Sequence, residues 1–179
     1  MRSAKLSVVI LLISLLAACG FKLRGSAELP GYKLPFATIA LGLAPTSEFY
    51  ALMKRSIEAS SPGTRVVEDA QQAEAVMSVL GDSSQKNILS LNASGRAREF
   101  QLIRTFSFKV NGSGASAGAT YIAPSIITLR REITFSDDLV LSKESEEILL
   151  WRDIQGDLVQ QLMRRLASAK PQPVKVDRE

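Results

Sequence analysis

From Ala75 to Val110, and again from Tyr121 to Phe135, the apolar residues fall largely on alternate positions, and that spacing confines both stretches to extended structure. Phe100, Leu102, Phe106, Phe108 and Val110 share one parity, and Tyr121, Ile127, Leu129, Ile133 and Phe135 share another. Successive side chains of a strand point to opposite faces, so each series forms one apolar face. Ahead of them Met77 and Val79 alternate, Asp82-Ser83-Ser84 dilutes the pattern, and Ile88, Leu89 and Leu91 resume it. Asn92-Ala93-Ser94-Gly95 is a four-residue hairpin turn by composition. Asn111 to Gly118 reads as a flexible loop.

A sheet with one apolar face needs a cover, and two segments supply helical periodicity. Phe49, Leu52, Met53 and Ile57 make one stripe. Ser47 or Thr46 is placed to cap that helix, and Ser60-Ser61-Pro62-Gly63 to stop it. Phe36 to Leu43 before it and Thr64 to Glu68 after it read as strands. The last helix is expected to start at a Ser142 cap with Glu144, Glu146 and Glu147 in its first turns. Ile148, Trp151, Ile154 or Gln155, Leu158, Leu162 and Leu166 would line one side, and Pro171 and Pro173 would end the ordered chain. The order predicts an α+β fold, with two helices packed on one face of a small mixed, largely antiparallel β-sheet in a two-layer sandwich. A chain of 179 residues suits one such domain. Its expected span is residues 36–170, followed by a polar tail over 171–179.

Composition removes whole classes of chemistry. There is no histidine and one cysteine, so Ser-His-Asp and Cys-His catalysis, paired Cys/His zinc sites and internal disulfides are all excluded. The pI near 9.4 suggests a nucleic-acid binder only until the N-terminus is set aside. Without Arg2 and Lys5, the 22 Lys and Arg fall to 20 against 18 Asp and Glu, a net of +2. That balance predicts no nucleic-acid partner.

The single cysteine explains the opening. Arg2 and Lys5 form a positive region, Leu6 to Leu16 an apolar one too short for a comfortable membrane span, and small residues follow. Leu16-Ala17-Ala18-Cys19 resembles the lipobox of bacterial lipoproteins, which implies a signal peptide over 1–18 and cleavage before Cys19. Cys19 would then carry a diacylglycerol group and an N-acyl chain. At about 0.8 kcal/mol per buried methylene, such an anchor is effectively permanent. Gly20 at the next position is not the aspartate of inner-membrane retention, so the expected place is the periplasmic leaflet of the outer membrane. Residues 19–35 would be the lipidated start and tether.

Several motifs are coincidences of composition. Gly114-Ala115-Ser116-Ala117-Gly118 matches the nucleophile elbow, but the required histidine is missing and an extended segment follows. Gly112 and Gly114 lack the spacing of a phosphate loop. Asp137-Asp138 reads as part of a loop rather than a metal pair. No catalytic, metal or cofactor site is expected. The arginines carry more. Arg96 and Arg98 follow the hairpin turn, and Arg104 and Arg131 sit within apolar parities. Arginine on a core-facing position must be paired, bulged outward or snorkelling. Glu99 and Glu132 are the candidate partners, and the alternative is an anionic amphiphile held by guanidinium groups.

Cys19-Gly20-Phe21-Lys22-Leu23-Arg24-Gly25 closely resembles the opening of the LPS-assembly lipoprotein family LptE, also called RlpB. Gly95 to Leu102 at the hairpin and Lys143-Glu144-Ser145-Glu146-Glu147 before the final helix resemble it too. The resemblance implies a non-enzymatic lipoprotein that plugs the LptD outer-membrane β-barrel, assists its assembly and binds lipopolysaccharide in transit to the outer leaflet. Basic residues on the sheet and loops would hold that ligand, here Arg96, Arg98 and Lys143. The family's basic residue just before the hairpin glycine is absent, since Ala93 and Ser94 stand there. Two readings remain beside it: a periplasmic scaffold of another outer-membrane machine such as barrel assembly, and a cell-wall enzyme using carboxylates.

Overall fold

The structure is a computed structural model that describes residues 32–135 and 140–173. Cys19, the lipobox and Asp137-Asp138 lie outside those residues. Strand β1 spans Thr38–Leu41, helix α1 Glu48–Ser60, β2 Arg65–Val67, β3 Ala75–Leu91, β4 Ala97–Gly112, β5 Ala119–Thr134, helix α2 Val140–Ser168 and β6 Gln172–Pro173. The strands form one sheet in the order β2-β1-β3-β4-β5-β6. β1 runs parallel to both β2 and β3, and every other pairing is antiparallel. Both helices cover one face, as the stripes predict.

Each boundary has a local cause. Ser47 caps α1, its hydroxyl accepting the Tyr50 N–H at 3.1 Å. Pro62 and Gly63 cannot extend the helix, and buried Thr64 turns the chain by donating to the Phe36 carbonyl at 2.9 Å. The polar connection before β3 is fastened too: the Glu74 carboxylate accepts the Ala37 N–H at 2.8 Å. Gly42 passes so close to β3 that a Cβ there would lie 2.7 Å from the Met77 carbonyl oxygen. At the hairpin, Asn92 Oδ1 accepts the Ser94 and Arg96 amides, and Gly95 has φ +76, which glycine adopts at little cost.

The core lies between the covered face and the helices. Ile39, Met77, Leu102, Phe106, Phe108 and Val110 meet Met53 and Ile57 of α1 and Ile154, Leu158, Leu162 and Leu166 of α2. Phe49 stands edge-on to Phe106 with centroids 5.5 Å apart. The other face is uncovered within the described residues and mixed in character: Gln101, Ile103, Thr105, Ser107 and Lys109 are half-buried, and Ile126, Thr128 and Arg130 exposed.

Several expectations need correction. Ser142 is not the cap of the last helix but lies inside its first turns, because the helix is already formed at Val140. Ile148 is exposed, and Ile154 rather than Gln155 takes the buried position. β4 continues into the expected loop as far as Gly112, and Gly114–Ser116 is a 3-10 turn without the helix a nucleophile elbow needs. Gln172–Pro173 returns to pair with Ala119 and Thr120, so the sheet outlasts residue 170.

Candidate functional site

The sheet is longer than the apolar core, and the charged residues gather where the core stops. Past Phe106 toward the hairpin, the helix-facing positions of β4 are Arg104, Leu102 and Phe100, and those of β3 are Asp82, Ser84, Lys86 and Ile88. Arg104 is 11% exposed. Its Nε and Nη2 donate to the two carboxylate oxygens of Asp82 at 3.0 and 2.8 Å, and Nη1 donates to Gln155 of α2 at 3.3 Å. Its guanidinium also stands 4.8 Å from the Phe49 centroid. Charge, planar fork and aromatic face are all used.

Arg131 is paired with Asp157 of α2. Pairing therefore accounts for both arginines that break the apolar parity, but the partners are Asp82 and Asp157, not Glu99 or Glu132. Glu99 instead accepts the Ser90 hydroxyl at 2.6 Å. The reason is register: Asp82 lies opposite Phe106, two residues along β4 from Arg104 and on the same face.

Lys86, which sequence reasoning passed over, ties the hairpin to α2. Its Nζ lies 2.6 Å from Glu147 and 4.4 and 4.9 Å from the Phe100 and Phe135 centroids. Those rings meet edge-on at 5.1 Å. Only the strand register, invisible in a run of polar residues, puts Lys86 on this face.

The three expected ligand cations are placed as follows. Arg96 closes the hairpin turn, its carbonyl accepting the Asn92 N–H at 2.8 Å, and its side chain is exposed. Arg98 is exposed on the parity of Phe100, and its carbonyl accepts the Phe135 amide at 2.7 Å. Lys143 is half-buried in the first turns of α2, with Nζ 2.7 Å from Glu146. The Lys86–Glu147 pair ties β3, the other arm of the hairpin that carries Arg96 and Arg98, to α2, which carries Lys143. The same end exposes Ile88 and Leu91 of β3 at 58% and 57%. It sets exposed arginines and apolar side chains beside two lysines already paired with Glu146 and Glu147. Among the described residues no group of three His, Cys, Asp or Glu could hold a metal ion, and no helix is long and apolar enough to cross a membrane.

Fold and site together describe a small two-layer α+β module with a basic, apolar-edged tip, and known lipoproteins share that architecture. The solution structure of lipoprotein B from Nitrosomonas europaea matches with a TM-score of 0.67 and 31% identity, covering 83% of this chain and 91% of that one. The rare lipoprotein B of Shewanella oneidensis shares the fold, with a TM-score of 0.59 and 22% identity over 73% of this chain and 94% of its own. The LPS-assembly lipoprotein LptE of Pectobacterium atrosepticum is 26% identical over 161 residues, 87% of this chain and 80% of its own. The family model for lipopolysaccharide-assembly LptE matches residues 36–166. The chain belongs to the lipopolysaccharide-assembly LptE family.

Proposed function

We propose that this protein is a non-enzymatic outer-membrane lipoprotein that plugs and helps assemble the LptD β-barrel and binds lipopolysaccharide on its way to the outer leaflet. The family match over the folded domain carries the reading. The lipobox supports the anchor: Cys19, with its diacylglycerol and N-acyl chains, would hold the protein to the periplasmic leaflet. Arg96, Arg98 and Lys143 would offer cations to lipid phosphates beside exposed Ile88 and Leu91, where a phosphorylated, acylated ligand finds both of its needs.

An affinity-tagged copy should bring down LptD in equal amounts. Capture of the barrel-assembly core without LptD would replace this reading with the scaffold one. Cys19→Ala should leave an uncleaved, unlipidated precursor while the domain still captures LptD. A mature N-terminus at any other residue, seen by mass spectrometry, would remove the anchor from the proposal.

A further inference from the structure

The two long edges of the sheet are guarded unequally. β5 carries Pro124, and its outward carbonyls at Ile126 and Arg130 accept hydrogen bonds from the Arg165 and Arg131 side chains at 3.0 and 2.9 Å. β6 takes its first residues. Such features stop a strand edge from recruiting another chain. β3 has few of them. β1 pairs with it only as far as Met77, and beyond that no strand among the described residues occupies its outer edge. The β3–β4 register then runs without irregularity from Gly81 to Ile88, through Asp82-Ser83-Ser84-Gln85-Lys86-Asn87, with no proline. A regular, unpaired edge of this length is a template for strand addition.

The order of charges along that edge selects the occupant. We propose that β3 pairs with β3 of a second copy, antiparallel about Ser84. In that register Asp82 faces the partner's Lys86, and Lys86 faces the partner's Asp82. Ser83 faces the partner's Gln85, and Ser84 faces its own counterpart. Asp82 and Lys86 both lie on the helix side, and their side chains remain 33% exposed despite their ties to Arg104 and Glu147. Each therefore has surface left for a second partner. Opposite charges placed directly across an antiparallel pair stabilise it, and like charges destabilise it. Parallel pairing would set Asp82 against aspartate and Lys86 against lysine. A one-residue slip would turn every side chain to the wrong face. The operation is a two-fold axis through Ser84, so the assembly closes at two copies with all helices on one side of a continuous sheet. This proposal does not rest on the barrel reading, since it concerns the chain by itself.

The full chain purified in mild detergent is the sample. Sedimentation should show a concentration-dependent dimer, and Ser84→Lys, which opposes two lysines on the axis, should weaken it at least ten-fold. Opposed strand residues stand about 4.5–5.5 Å apart at Cα, within disulfide reach. Ser84→Cys should therefore oxidise to a dimer, whereas Thr128→Cys, equally exposed on β5, should not. Wild-type protein that stays monomeric at every concentration would overturn the proposal without any variant having to fold. So would equal cross-linking at 84 and 128, or a Ser84→Lys protein that dimerises like the wild type.

Discussion

Arg104 shows how far a single residue can be read before its neighbours are placed. Its parity between Leu102 and Phe106 is enough to say that it must be paired, bulged outward or snorkelling, and the structure selects pairing. Its partner was not legible, because Asp82 becomes its neighbour only through the hairpin register of β3 and β4, which a polar stretch of β3 does not reveal. Truncating it strips Asp82 of two charge-assisted hydrogen bonds and Gln155 of one. Arg104→Ala should cost about 1.5–3 kcal/mol in urea unfolding, and a double variant with Asp82→Asn should cost less than the sum of the two singles. The tip cations make a different prediction. Exposed ion pairs are worth about 0.2–1 kcal/mol each, so single alanines at Arg96, Arg98 or Lys143 should do little. Replacing all three with Glu should weaken lipopolysaccharide binding at low and moderate salt, with fold and LptD capture retained. Wild-type binding by the folded triple variant at both salts would take the ligand away from this tip.

At the scale of elements, regular pattern was legible and ends were not. The α1 stripe, its Ser47 cap and its Pro-Gly stop all stand where the residues place them, because capping and chain reversal are local chemistry. β3 was harder. Its stretch from Asp82 to Asn87 is polar because it forms the edge of the sheet beside the core: Phe106 and Leu102 of β4 opposite it are buried, while its own side chains meet water on one face and ion pairs on the other. A strand without a buried face loses its alternation, so the sequence there resembles a loop. The start of α2 was misplaced for a related reason, since Ser142 and the glutamates after it suit a helix terminus but are equally at home in an exposed first turn. Within α2, Gly156 is the weak point. A Cβ there would meet nothing within 4 Å, so Gly156→Ala removes backbone freedom from the unfolded chain without a clash. It should stabilise the protein by about 0.5–1 kcal/mol, while Ser47→Ala at the α1 cap should destabilise it by about 1 kcal/mol. Paired thermal melts check both signs.

For the whole molecule, the two-layer sandwich followed from counting faces: a sheet apolar on one side, and two helices each with one stripe to bury. What counting could not supply was the position of β1, because an apolar run that short fits a centre or an edge equally well. It lies between β2 and β3, and both of those neighbours follow it in the chain. The final cover comes later still, since Leu158, Leu162 and Leu166 of α2 close over Phe106 and Phe108. A chain ending after Phe135 would therefore expose the part of the apolar face that α2 covers, and should bind a hydrophobic dye and aggregate where the full chain does neither. Retention of a cooperative melt by that fragment would refute the dependence. The arrangement also sets a timetable. A polypeptide threaded through a membrane N-terminus first delivers β1 before anything it can pair with, and delivers the helix that seals the core last. Until that helix arrives, the earlier segments remain open to chaperones and to proteases alike.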